Sequence, residues 1–173
     1  GLVGFKPTAV FDISQTEGDP LPELETAATG EADELVPALT DAADALDVTV
    51  RIVDAAEWEH GDARGVCKYR QGQDCQPLVE AKARANQADL ATTLVHEYAH
   101  ASLHSAVTDD TERAKREVEA EAVAYVVGRY FGLDTSGSAF YLAAWQDEDP
   151  DSIMDRLGRI RRTATEIITA VEK

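Results

Sequence analysis

Basic residues are scarce in this 173-residue sequence: 16 lysines and arginines stand against 33 acids, for a formal charge of −17. Such a surface repels nucleic-acid phosphates, which are bound through a basic footprint that displaces counterions. The chain by itself is therefore not expected to bind nucleic acid, and its acidity suits a basic partner better. Long apolar runs are missing too. None approaches the roughly 20 residues that span a bilayer, and the first residues lack the basic-then-apolar layout of a secretion signal. A soluble, cytoplasmic protein with no membrane partner is expected, although the chain opens on Gly1 rather than Met, as a processed or excised piece would. Cysteine is nearly absent: Cys67 and Cys75 bracket the stretch CKYRQGQDC. In a reducing compartment they are expected as free thiols on either side of a hairpin, and in an exported domain as a disulfide across it. No further Cys or His stands near them, so no second metal site is expected there.

What the chain does have is enough apolar material, 44 %, for one folded domain over residues 1–173. Residues 1–30 mix prolines, glycines and acids around a short extended run, Thr8 to Ile13, and read as a loop-rich lead segment with one short strand. Residues 31–85 read as a helix and a small sheet. Leu35, Leu39, Ala42, Ala43 and Leu46 recur at helical spacing, with Pro37 tolerable only near the helix start. The segment VTVRIVD, 48–54, alternates as a strand does, and 64–70 and 77–83 are further strands flanking the turn QGQD. Residues 86–173 are helical: 87–105, then 111–132 closed by Gly132, a short helix near 138–146, and a last one opened by Asp149 and Pro150. The expected class is α+β, a small antiparallel or mixed sheet packed on helices.

Histidine is rare as well, four in all, yet three of them fall in TTLVHEYAHASLH, residues 92–104. Residues i and i+4 share one helix face, so His96 and His100 can aim their rings at one point. Glu97 between them is placed to act on water at a bound metal, the layout of H-E-x-x-H zinc peptidases. His104 continues the spacing but lies about 12 Å along the axis from His96 and is not expected to join the same ion. His60, in the loop EWEHGD, reads as a surface residue. A His₂Glu site draws a further ligand from elsewhere and leaves one position for water. The stretch KREVEAEAVAYVVGRYFG, 115–132, offers Glu117, Glu119 and Glu121. Acids near a helix start are common because the macrodipole favours them. Glu117 and Glu121, however, share a face with Ala124 and Gly128, small residues that admit a neighbouring helix, and a carboxylate in such a contact needs a cation.

LVHEYAHASLH followed by REVEAEAVAYVVGRYFGLDTS resembles the metallopeptidase domain of the ImmA/IrrE-type zinc peptidases and the ArdC-like antirestriction proteins, which have gluzincin-type folds. GFKPTAVFDISQTEGDPLPE and YLAAW…LGRIRRTATEII resemble the ArdC-like branch as well, so the likeness runs over most of the chain. The resemblance implies Zn²⁺ on His96, His100 and Glu121, with Glu97 as base and acid. Glu117 would then be an outer carboxylate that orients a ligating ring. ArdC members join this domain to an N-terminal region that binds single-stranded DNA. No such region is read in these residues, so a DNA role is not expected of this chain by itself.

The expected reaction is hydrolysis of a peptide bond in a protein or peptide substrate, Glu97 taking the proton of a zinc-activated water and delivering it to the leaving amine. PLVEAKA, 77–83, is the candidate edge strand for holding the substrate extended, and Tyr98 or Tyr125 are candidates for oxyanion help, although tyrosines so placed more often pack. The rival from another class is a catalytically quiet fold that keeps zinc for structure and binds a partner protein. A helical interaction domain without metal is a third reading.

Overall fold

The computed structural model describes residues 27–69, 76–104, 113–135 and 150–173. The expected strand at Thr8 to Ile13, the QGQD turn, Cys75 and the helix near 138–146 lie outside the described residues. In chain order the elements are α1 (Leu35–Asp41), a 3₁₀ turn (Asp44–Leu46), β1 (Thr49–Val53), β2 (Gly65–Lys68), β3 (Leu78–Lys82), α2 (Gln87–His104), α3 (Arg113–Tyr130) and α4 (Pro150–Val171). The class is α+β: four helices and a three-stranded mixed sheet among the described residues. No helix there is long and apolar enough to cross a membrane.

Local chemistry explains most boundaries. α1 is shorter than the periodicity predicts, and Pro37 falls in its first turn, where its missing N–H costs no helical bond. The chain then tightens into the 3₁₀ turn and leaves through Asp47 at φ 57°. Asn86 caps α2, its Oδ1 accepting the Asp89 N–H at 3.1 Å. α3 ends in a Schellman motif: Leu133 N–H donates to Gly128 O at 2.9 Å and Gly132 N–H to Arg129 O at 3.2 Å. Gly132 makes this possible by adopting φ +81°, a region that disfavours side chains. α4 opens on Pro150, whose fixed φ suits the first helical position.

The sheet order is β1-β3-β2, with β1 parallel and β2 antiparallel to β3. β3 is therefore the central strand, which overturns its expected place at the edge. A carboxylate in a central strand is costly unless paired. Here it is paired. Glu80 is 6 % exposed and meets Arg51, its register partner on β1, together with Lys68 on β2 and His60 from the preceding loop. The hydrogen bond from Lys68 contributes most and, with the His60 hydrogen bond and the charges of Lys68 and Arg51, outweighs burial and holds the Glu80 carboxyl below its ordinary range. His60 thus serves the sheet, its ring edge-on to Trp58.

Among the described residues, the unpaired sheet edge nearest α2 belongs to β2. Lys82 N–H donates to Arg64 O, and residues 64 and 82 are opposite one another in the antiparallel register, so this is a hydrogen-bonded pair. Alternation then turns the backbone groups of Val66 and Lys68 toward β3 and those of Gly65 and Cys67 away from it. α2 lies across the sheet and is the hub of the core: Leu94, Val95, Tyr98 and Ala99 are buried on it, against Val79 and Ala81 of β3, Leu39 of α1 and Val123 of α3. Tyr98 is fully buried and donates its O–H to Leu39 O at 2.8 Å, so it packs and caps rather than facing solvent. Tyr125 is exposed on α3.

Candidate metal centre

α2 and α3 are neighbours because their facing residues are small: Ala88, Ala91, Ala120, Ala124 and Gly128 are buried, and a Cβ on Gly128 would come within 3.3 Å of Thr92 on α2. Close backbones let short side chains meet across the gap. His96 and His100, one turn apart on α2, bring their Nε2 atoms within 3.0 Å. Oε2 of Glu117, from the first turns of α3, lies 3.4 Å from His96 Nε2 and 3.5 Å from His100 Nε2. These three side chains form the group of donors among the described residues able to share one ion.

Ligands at about 2.0–2.1 Å from a tetrahedral zinc stand about 3.3 Å from one another. The three observed separations are therefore those of one face of such a tetrahedron, and the donor set fits the ion.

Glu121 is placed differently from what the resemblance implies. Its Oε2 sits 3.1 Å from Nδ1 of His96, on the far side of the ring from Glu117. Glu117 reaches the point shared by the two Nε2 atoms, and Glu121 meets the outer nitrogen of the His96 ring. A choice between two carboxylates one turn apart depends on how far α3 slides along α2, which no local pattern encodes.

Glu97 is 7 % exposed and lines both cavities that meet at this point, of about 300 Å³ and 510 Å³. They are walled by Gly65 of β2 on one side and by Glu117 on the other. Gly65 is a steric requirement. A Cβ there would lie 2.7 Å from Thr93 Cγ2 and 2.8 Å from Glu97 Cγ and Oε1. The approach of β2 is held by Asp89 in the first turn of α2, which is bridged by Arg64 before β2 and Arg84 after β3.

Charge is concentrated here. Burial opposes protonation of His96, but hydrogen bonds to Glu117 and Glu121 and the nearby Glu97 outweigh it and raise the imidazole to about 10. The His100 and His96 rings beside it push Glu117 far below the usual carboxylate range against its burial. Glu97 moves the other way: burial raises it, opposed by the two histidines and aided by Glu117. The pattern is a site with strong affinity for positive charge beside one carboxyl that holds a proton more readily than usual.

Tyr69, Arg113 and Arg116 line the larger cavity although the sequence did not single them out. Tyr69 donates its O–H to His100 O at 2.7 Å. Tyr98 and Tyr125 are not among the residues walling either cavity. Cys67 is a free thiol on the cavity wall, pushed up to about 12 by burial and by Glu97, against a hydrogen bond with Tyr69. His104 stands apart from the shared point, its Nδ1 3.1 Å from His100 Nδ1 and its Nε2 2.9 Å from Glu119.

No family model matches the chain, and no solved structure matches it. A Bacillus anthracis protein, described as the uncharacterized protein pXO2-81, is 36 % identical over 87 residues, which are 46 % of this chain and 14 % of that protein. The chain thus spans a small part of the length of the curated relative it matches.

Proposed function

We propose that this chain is a zinc-dependent metallopeptidase in which Nε2 of His96, Nε2 of His100 and Oε2 of Glu117 hold the metal and Glu97 is the general base. The observation that carries this reading is the triangle of donor atoms at 3.0, 3.4 and 3.5 Å beside a buried glutamate in a cleft. The likeness of LVHEYAHASLH to the ImmA/IrrE and ArdC-like domains supports the parts given to His96, Glu97 and His100, while implying Glu121 in the place of Glu117. Two imidazoles and a carboxylate are a borderline donor set that suits zinc.

Zinc supplies Lewis acidity at such a site, acidifying water and polarising a carbonyl. The chain's own residues do the rest. Glu97 takes a proton from the attacking water and returns it to the leaving amine nitrogen, a task suited to a carboxyl whose proton affinity burial has raised. Glu121 accepts the Nδ1–H of His96 and so points the other nitrogen of that ring into the site. The outward N–H and C=O groups of Gly65 and Cys67 can pair with an extended substrate backbone, the part expected of 77–83 before β3 proved central. The charge of −17 favours a basic peptide.

Stripped of metal and titrated with zinc, the protein is expected to take up one ion per chain. At a thousandfold excess over Kd, binding adds about 4 kcal/mol to native stability. For a chain of this size that raises Tm by roughly 8–16 °C, read by differential scanning calorimetry. Zinc without stabilisation would sink the metal reading. A second test concerns the wall of the cleft. Gly65→Ala must displace Glu97 or β2, and misplacement by about 1 Å costs on the order of 100-fold in rate. Zinc uptake by that variant should be unchanged, and retained turnover would show that Glu97 tolerates the shift.

A further inference from the structure

We propose that Glu119 and His104 act as a positioning relay that fixes which nitrogen of His100 carries the proton, leaving Nε2 of His100 bare toward His96 and Glu117. The purpose of the relay rests on the metallopeptidase reading, whereas its first readout needs no metal. Glu119 and His104 are among the most enclosed polar residues, 1 % and 3 % exposed, and their Oε2 and Nε2 atoms lie 2.9 Å apart. An ionised carboxylate so deep is tolerable only with cations beside it. Two are present on α4: Arg156 and Arg159 bring Nη1 within 3.3 and 3.4 Å of the other oxygen, Oε1.

The direction of every bond then follows from the donor inventory. The two guanidinium charges hold Glu119 ionised, and an ionised carboxylate can only accept. The proton in the Glu119–His104 contact belongs to His104 Nε2. A neutral imidazole protonated on Nε2 presents Nδ1 as an acceptor. That atom faces His100 Nδ1 at 3.1 Å, so His100 donates from Nδ1. What remains on His100 is the lone pair of Nε2, the atom 3.0 Å from His96 Nε2 and 3.5 Å from Glu117 Oε2. The two imidazoles of the centre are thus set by different means. His96 meets a carboxylate directly at Nδ1, through Glu121, and His100 meets one through an intervening ring.

Long-range ¹H–¹⁵N correlation of the histidine rings in metal-free protein reads the tautomers directly, and His100 is expected with its proton on Nδ1. Glu119→Gln should reverse the chain. Its amide oxygen faces the arginines, its NH₂ donates to His104 Nε2, His104 donates from Nδ1, and the His100 proton moves to Nε2. Cobalt and zinc affinity should then fall by about 10–100-fold, the range for loss of an outer partner, with a changed visible spectrum of the cobalt form. Glu119→Asp, which keeps a carboxylate, should restore the Nδ1 proton on His100. A native protein with the His100 proton on Nε2 overturns the proposal whether or not the variants fold. So does a folded Glu119→Gln variant with unchanged tautomer and unchanged affinity. A native protein with the expected tautomers that takes up no zinc would uphold the relay and defeat the metal reading instead.

Discussion

Glu117→Ala is expected to empty the centre, while Glu121→Ala leaves it filled but weaker. Glu117 offers one oxygen to the point shared by both Nε2 atoms, so its removal deletes a charged donor and leaves two neutral rings. Glu121 stands behind His96, where its loss frees the ring to turn without removing a donor. The expected loss for Glu121→Ala is about 10–100-fold in zinc affinity, and for Glu117→Ala more than about 100-fold. Competition with a chelator of known affinity measures both. The reverse order of effects would restore the assignment that the resemblance implies, with α3 displaced by one turn of about 5 Å.

The second large effect belongs to Glu97. Glu97→Gln preserves size and burial but cannot carry the proton, and general acid–base help of this kind is worth about 10²–10⁴-fold. Zinc content and Tm should match those of the native protein, since the side chain stands beside the donor group rather than in it. Cleavage of a degenerate mixture of extended, basic peptides, followed by mass spectrometry, supplies the activity readout. Equal cleavage by both forms would identify a contaminating protease. Full zinc and no cleavage by either form would favour the zinc-containing binding module.

The sequence was most legible where chemistry is local. His96, Glu97 and His100 share a helix face because of spacing alone, and Gly132 and Pro150 mark helix ends through φ preferences that hold in any context. The first strand was readable from alternation and the other two from the turn between them, but their order was not. Alternation reports a pleated, half-buried segment and says nothing of its neighbours. That β3 lies inside depends on Arg51 and Lys68 arriving from two other strands to meet Glu80. The same limit governs the site. Glu117 and Glu121 are equivalent along α3, and only the packing of Ala124 and Gly128 against α2 decides which reaches the shared point. Glu119 was hidden for a related reason: its burial is tolerable only because Arg156 and Arg159 return from α4.

The outer edge of β2, unpaired among the described residues, sets a limit on how such a cleft can hold anything. Gly65 and Cys67 offer four outward backbone groups, each worth about 0.5–1.5 kcal/mol net when bonded. Their sum of about 2–6 kcal/mol brackets the 4.1 kcal/mol that corresponds to millimolar affinity. A grip of that order is near the local concentration produced by a short flexible tether, about millimolar. Selectivity in this geometry is therefore governed by proximity more than by side-chain reading. On the proposed peptidase reading, a segment delivered by a tether or a docking contact elsewhere is expected to be cut in preference to a better-matched peptide diffusing freely.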